Sequence, residues 1–263
     1  EVEYIKEWLD FHLLVGFDKI IIYDNESSDN LKDQLEDYIQ TNKVTYIYWD
    51  NSFVEKNHEY FSLINDEGKK NPQITAYCHA LKTFTNFTWI AFIDSDEFLF
   101  SPIQKDLKKM LKEYEDFSSI AVYWKVFGTS NIIKKTHEPT LNKFTLRTKD
   151  SYHLNKRFKS IVQPKRTINV QTAHRFRTDS HPIIAHDENK KPLLFKGWEK
   201  LEPSTNIFRI NHYFTKSKEE WEEKLKRGWL DIGPSRINFK IEVFNEIDKD
   251  TIEDKSILNI YNS

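Results

Sequence analysis

The 263-residue chain lacks most of the features that mark secreted, membrane-spanning and nucleic-acid-binding proteins. It has a single cysteine, Cys78, so no disulfide can form within it and nothing in its cysteine usage argues for an oxidising compartment. No apolar run approaches the roughly 20 residues that a membrane-spanning helix needs, and the first residues lack a signal-peptide pattern. A cytoplasmic protein is therefore expected, with any membrane contact peripheral. Charge of neither sign prevails. The 39 Lys and Arg against 41 Asp and Glu leave a formal net charge of -2, which sets up no global field to gather nucleic acid. Internal repeats and low-complexity tracts are missing too.

What is present is a core former, with 38% hydrophobic and 14% aromatic residues. Glu1–Trp8 already reads as the middle of a helix with no start signal, so further sequence upstream is expected. Ile5, Trp8, Leu9 and Leu13 keep helical spacing up to a stop at Gly16. His12 shares that apolar face and reads as a hydrogen-bonded core residue. Lys19–Tyr23 and Val44–Trp49 are strands, and the helical stripe of Leu31, Leu35, Tyr38 and Ile39 between them indicates a parallel unit. Residues 50–70 read as a long polar loop. Asn71-Pro72 opens a helix striped by Ile74, Tyr77, Cys78 and Leu81. Beyond the strand Ser119–Phe127 the helical signal fades into short strand-like pieces. Ser217-Lys218-Glu219-Glu220 is a capping box that starts a helix carrying Trp221, Leu225 and Trp229, and residues 234–263 read as a loosely docked helical tail.

The most informative stretch is Trp89-Ile90-Ala91-Phe92-Ile93-Asp94-Ser95-Asp96-Glu97-Phe98-Leu99-Phe100. Three carboxylates within four positions are set between apolar runs, where a solvated face is hard to place. A continuous apolar run reads as a core strand of a mostly parallel sheet, and ligands bind beyond the carboxyl ends of such strands. Crowded carboxylates there call for a positive partner, a divalent cation above all. In extended chain Asp94 and Asp96 point to one side and Ser95 and Glu97 elsewhere. The plainer reading makes both aspartates turn or cap residues bonded to local backbone.

Two further groups stand out. Asp24-Asn25-Glu26-Ser27-Ser28-Asp29 follows a strand with more side-chain acceptors than a turn or a helix cap needs. Lys156-Arg157-Phe158-Lys159 and His174-Arg175-Phe176-Arg177 interleave cations with aromatics, a mix suited to a diphosphate or simply to a solvated face. His212, in Arg209-Ile210-Asn211-His212-Tyr213-Phe214, reads as structural on its neighbours alone.

Glu7-Trp8 with His12, Tyr23–Asp29, Phe92–Phe98, and Asn211-His212-Tyr213 followed by Lys216-Ser217 and Lys226-Arg227-Gly228 together resemble the glycosyltransferases of family 92. The likeness covers roughly residues 1–230. It implies an α/β, Rossmann-like GT-A fold with a mostly parallel central sheet, a nucleotide-sugar-binding half over residues 1–127 and an irregular acceptor half over 128–233, followed by the helical tail. It further implies Mn2+ or Mg2+ held by Asp94 and Asp96, with His212 a candidate third ligand, and Mn2+ favoured by an imidazole among oxygens. Asp24, Asn25, Ser27 and Ser95 would hold the nucleotide of a UDP-sugar, galactose being the family's precedent. Lys159, Lys216 and Arg227 would add positive charge at the diphosphate. The partners implied are a nucleotide sugar and a glycan acceptor.

Inverting transfer also needs a carboxylate base across the sugar from the diphosphate. Asp179, Asp187, Glu188 and Glu138 qualify by type, and Asp179 is preferred because it follows His174 in a polar stretch. Two rivals remain on sequence: a phosphatase of the haloacid dehalogenase kind, in which the first Asp of Asp-x-Asp is a nucleophile, and a non-catalytic glycan- or nucleotide-binding module.

Overall fold

A computed structural model of the chain describes residues 2–50, 52, 71–196, 202–227, 237–249 and 251–261. Most of the loop expected over 50–70, together with Gly228 and Trp229, lies outside them. Helix α1 (Val2–Leu14) buries Ile5, Trp8, Leu9 and Phe11. It ends where predicted: Gly16 takes φ +105°, open to glycine at little steric cost, and the amide of Phe17 donates to the carbonyl of His12 at 3.0 Å. Strand β1 (Ile20–Asp24) then pairs in parallel with β2 (Val44–Tyr48) across the short helices α2 (Leu31–Gln34) and α3 (Glu36–Gln40), as the alternation predicts. Helix α4 (Pro72–Thr83) is opened by Asn71, whose Oδ1 accepts from the amides of Gln73 and Ile74 at 2.9 and 3.2 Å.

The main sheet departs from the parallel expectation. The predicted core strand is split into β3 (Ile90–Ala91) and β4 (Glu97–Phe100), followed by α5 (Leu107–Leu111) and the fully buried β5 (Ser119–Val126). After α6 (Thr140–Lys143) come β6 (Leu146–Thr148), β7 (Phe158–Val162), the hairpin of β8 (Thr167–Val170) and β9 (Phe176–Thr178), and the antiparallel pair β10 (Ile183–His186) and β11 (Pro192–Leu194). Strand β12 (Arg209–His212) and helix α7 (Lys218–Arg227) complete this half.

Seven strands form one mixed sheet with β5 as its hub. Strand β5 runs antiparallel to β7 and parallel to β12; β3 is antiparallel to β7, and β4 antiparallel to β12. The reason is connectivity. The chain passes from β3 to β4 through residues 92–96 with no crossover helix, so β7, β5 and β12 come to lie between two strands that are neighbours in sequence. Cross-strand partners share a face, and the pairs Glu97↔His212↔Val126, Ile210↔Trp124 and Lys159↔Val122 put Glu97, His212, Trp124 and Lys159 on one side of the sheet.

The C-terminal segment is neither loosely docked nor wholly helical. Between α8 (Ile237–Lys249) and α9 (Ser256–Tyr261), β13 (Thr251–Glu253) pairs antiparallel with β6, and Val243, Ile247 and Ile257 join the main core. Asp248 accepts from the amide and hydroxyl of Thr129 at 2.8 and 2.6 Å, so tightly that a Cβ on Gly128 would meet its Oδ1 at 2.1 Å. Asp254 binds Arg147 Nε at 2.8 Å and both terminal nitrogens of Arg209 at 3.2 Å. Among the described residues no helix is long and apolar enough to cross a membrane.

Burial works to raise the Asp254 carboxyl, but Arg209, Ser256 and Arg147 outweigh it and hold it well below the ordinary carboxylate range. Stability from such a depressed carboxyl is present above the ordinary pKa and is lost as pH falls through the folded value. Asp254→Asn is expected to cost about 3 kcal/mol in urea denaturation at pH 7, and its gap from the parent protein should close as pH drops from about 4 towards 2. A gap that stays constant over that range would refute the ion-pair account.

Candidate functional site

Residues 94–97 form a turn, not extended chain: the amide of Glu97 donates to the carbonyl of Asp94 at 3.1 Å, and the amide of Asp94 to Glu97 Oε2 at 2.9 Å. The two-residue alternation therefore does not apply, and Glu97 joins Asp94 instead of facing away from it. Beneath them lies Lys159, its side chain 2% exposed, with Nζ 2.9 Å from Asp94 Oδ2 and 3.9 Å from Glu97 Oε2. Gln73 on α4 donates to Asp94 Oδ1 at 2.8 Å, so both oxygens of Asp94 have protein partners. Burial tends to lower the Lys159 ammonium, but Glu97, Tyr77 and Asp94 override it and raise it. Burial drives the Glu97 carboxyl well above its usual range, and its Oε1 has no hydrogen-bond partner among the described residues.

Asp96 faces a different set. Its Oδ1 lies 3.3 Å from His212 Nε2 and its Oδ2 3.2 Å from Lys224 Nζ, while its carbonyl accepts from the amide of Tyr213 at 2.9 Å. Burial tends to raise this carboxyl; Lys224 and His212 hold it far below the ordinary range. The structure thus brings Asp96 and His212 together and leaves Asp94 with Lys159. Among the described residues no group of three or more His, Cys, Asp or Glu side chains converges as a metal cage.

The turn separates two open clefts of about 590 Å³ each. The first, at the carboxyl end of β1, is walled by Tyr23, Trp49 and Tyr77 and by the polar Asn25, Ser27, Asn71, Gln73, Asp94 and Ser95. Asp24 stands behind this wall: it accepts from the amide of Ser27 at 2.9 Å and from the hydroxyl of Tyr46 at 2.6 Å. Burial raises its carboxyl, and these bonds more than reverse the effect. The second cleft carries Lys135, Lys216, Lys224 and Lys226 with Asp96, Glu3, Glu220 and Glu223. Lys216 takes φ +53° and sets its Nζ 4.0 Å from the centre of the Tyr4 ring. Asp29 borders both clefts.

Other expected residues fall elsewhere. Asp179 pairs with Arg166 Nε at 2.8 Å beside Ser118 and Ser180, before the start of β5. Seven residue steps of β5 separate that end from Val126, the partner of His212, which is about 23 Å of strand. Asp187 turns its Oδ1 onto the amides of Asn189 and Lys191, and Glu188 caps the amides of Asn206, Ile207 and Phe208. Arg227 closes α7, and its side chain lies outside the described residues. Arg157, His174 and Arg175 border a separate pocket of about 100 Å³. Gln73 and Lys224 went unread in the sequence. Gln73 gives no signal there, and the pattern of the capped helix puts Lys224 on a face other than that of Trp221, Leu225 and Trp229, which does not point to Asp96.

The Glu7-Trp8-His12 group is structural. Glu7 caps α6 through the amides of Thr140 and Leu141, at 2.7 and 3.0 Å. Trp8 Nε1 donates to the carbonyl of Glu97 at 2.7 Å, and the amide of Leu99 donates to His12 Nε2 at 3.2 Å, so α1 satisfies the outer edge of β4. Burial pushes the His12 imidazole down to about 3, consistent with a neutral core histidine.

Fold and site define a class: an α/β domain with two clefts divided by an acid-bearing turn. The chain belongs to glycosyltransferase family 92, whose family model matches residues 1–254 and so takes in most of the C-terminal segment. It is 24% identical over 231 residues to a glycosyltransferase family 92 protein of Ricinus communis, covering 85% of this chain and 35% of that relative. A glycosyltransferase family 92 protein of Oryza sativa is 24% identical over 234 residues, covering 85% of this chain and 33% of the relative. The chain therefore spans about a third of the length of these relatives.

Lys159→Met leaves Glu97 and Asp94 without their buried cation and is expected to cost about 3–5 kcal/mol in urea denaturation. Adding Asp94→Asn should recover part of that loss, because the carboxylate nearest the cation is then gone. A double variant no more stable than Lys159→Met alone would show that the pair is not the source of the cost.

Proposed function

We propose that the chain is the catalytic domain of a metal-dependent GT-A glycosyltransferase that moves a sugar from a UDP-sugar, galactose by family precedent, to a glycan hydroxyl with inversion. The observation that carries this reading is the 94–97 turn, which presents two carboxylates between an aromatic, amide-lined cleft and a lysine-rich one. Tyr23 suits the face of a base, with the buried Trp49 packed edge-on against it, and Asn25, Ser27 and Asn71 supply hydrogen-bonding groups at the rim. The cleft at the end of β1 and the parallel β1–β2 unit accord with nucleotide binding at a strand's carboxyl end.

The donor set fits a divalent cation in part. Asp96 Oδ1 and His212 Nε2 stand 3.3 Å apart, close enough for two ligands of one ion, and diphosphate oxygens would supply the remainder. The cation would neutralise charge on the departing diphosphate. Lys159 and Gln73 fix the Asp94 carboxylate, so that it can act as a rigid acceptor at the floor of the nucleotide cleft. Lys216 and Lys224 bring positive charge to the diphosphate from the second cleft.

The proton of the acceptor hydroxyl needs a carboxylate near both substrates. Asp29, which borders both clefts, replaces Asp179 as the proposed base.

Asp96→Ala is expected to abolish Mn-dependent UDP binding in calorimetry, and an unchanged affinity would remove the metal role. With UDP-sugars and a glycan acceptor panel, Asp29→Asn should lower kcat at least about 100-fold while UDP affinity stays at the parent value. A kcat that survives the substitution would exclude Asp29 as the base.

A further inference from the structure

Asp96 already has a partner on each side. Its carboxylate is 14% exposed and both oxygens are engaged, Oδ1 by His212 and Oδ2 by Lys224. A divalent cation bound to Asp96 would lie within a few ångströms of the Lys224 ammonium, and like charges at that range repel strongly in a partly desolvated site. The helix that carries Lys224 is anchored. Ser217 and Glu220 form a reciprocal capping box at its start, with Oγ to Oε2 at 2.6 Å and the Glu220 amide to Oγ at 3.3 Å, and Trp221 is 2% exposed. The side chain is not fixed in the same way: it is 28% exposed, with Nζ 3.3 Å from the carbonyl of Phe214 and 5.1 Å from the centre of the Phe214 ring. It borders the cleft shared with Lys135, Lys216 and Lys226.

We propose that Lys224 is a built-in counter-ion of Asp96 that is exchanged for the divalent cation when the nucleotide arrives, its ammonium passing from the carboxylate to the diphosphate. This rests on the proposed metal-dependent use of a nucleotide diphosphate. With no ligand, Lys224 spares Asp96 the cost of standing unpaired beside the buried face of the sheet. A cation alone must compete with Lys224 and binds weakly. A diphosphate offers the displaced ammonium a new anionic partner, so nucleotide and cation each strengthen binding of the other, by the same factor in both directions. Lys224 is in this sense a positioning residue whose role appears in the coupling between two ligands.

The test is Mn2+ affinity measured from the electron paramagnetic resonance signal of free Mn2+, with and without UDP, for the parent chain, Lys224→Met and Lys224→Arg. Lys224→Met should bind Mn2+ alone about three- to tenfold more tightly than the parent, a gain that misfolding cannot imitate, and UDP should then tighten Mn2+ binding by a smaller factor. Lys224→Arg, which keeps the charge, should retain the parent coupling. If Lys224→Met binds Mn2+ no more tightly than the parent while both still bind Mn2+ and UDP, the exchange is wrong and the metal-dependent reading stands. If no protein binds Mn2+ in either condition, both fall.

Discussion

A lysine buried beneath two acids is the constraint around which the site is built. Lys159 reaches its place because β7 runs antiparallel to β5 and sets it opposite Val122, on the face that also carries Trp124 and Ile161. An ammonium in such surroundings is tolerable only with carboxylates close by, and the 94–97 turn supplies two of them at 2.9 and 3.9 Å. The turn cannot shift without uncovering a charge. That rigidity extends to Asp96, whose carbonyl is tied to Tyr213 and whose carboxylate is thereby aimed at β12 and α7. Fold stability and the direction of the acids are one problem with one solution.

The family likeness mixes two kinds of residue. Asp96 and His212 meet at the site, whereas Glu7, Trp8 and His12 hold architecture: a cap on α6, and two hydrogen bonds to the edge of β4 just beyond the acids. A motif can mark a family because it supports a site from behind as well as because it reacts. Asp24 is of the supporting kind as well, holding the Asn25–Asp29 turn through Ser27 and Tyr46 while the residues after it face the cleft.

Local signals were legible in the sequence. Gly16 as a helix stop, Asn71-Pro72 as a helix start, the Ser217–Glu220 capping box and the parallel β1–β2 unit all follow from chemistry acting over a few residues, and the structure has each of them. The sheet order was not legible, because the link from β3 to β4 looks like one continuous apolar run and only long-range pairing shows that three strands lie between them. The same limit applied to the site. Asp94 and Asp96 were visible as crowded acids, but Lys159 and Lys224 reach them from 65 and 128 positions away. Asp179 lies at the other end of β5 from His212, and proximity to His174 in sequence says nothing about which end of β5 a residue occupies. The C-terminal segment looked loosely attached because its ties, Asp248 to Thr129 and Asp254 to Arg147 and Arg209, join residues more than 40 positions apart.

The seal that α1 places on β4 also bears on how copies of this protein can meet. An open strand border invites another chain to zip alongside it, and β4 would be such a border if its groups were bare. Trp8 and His12 occupy the carbonyl of Glu97 and the amide of Leu99, so any incoming strand would first have to peel away a helix that buries Ile5, Leu9 and Phe11. Lateral growth of the sheet is thus blocked at the β4 border, next to the acids, whereas β3 and β11 are its other outer strands and Leu194 and Phe195 are exposed at the β11 border.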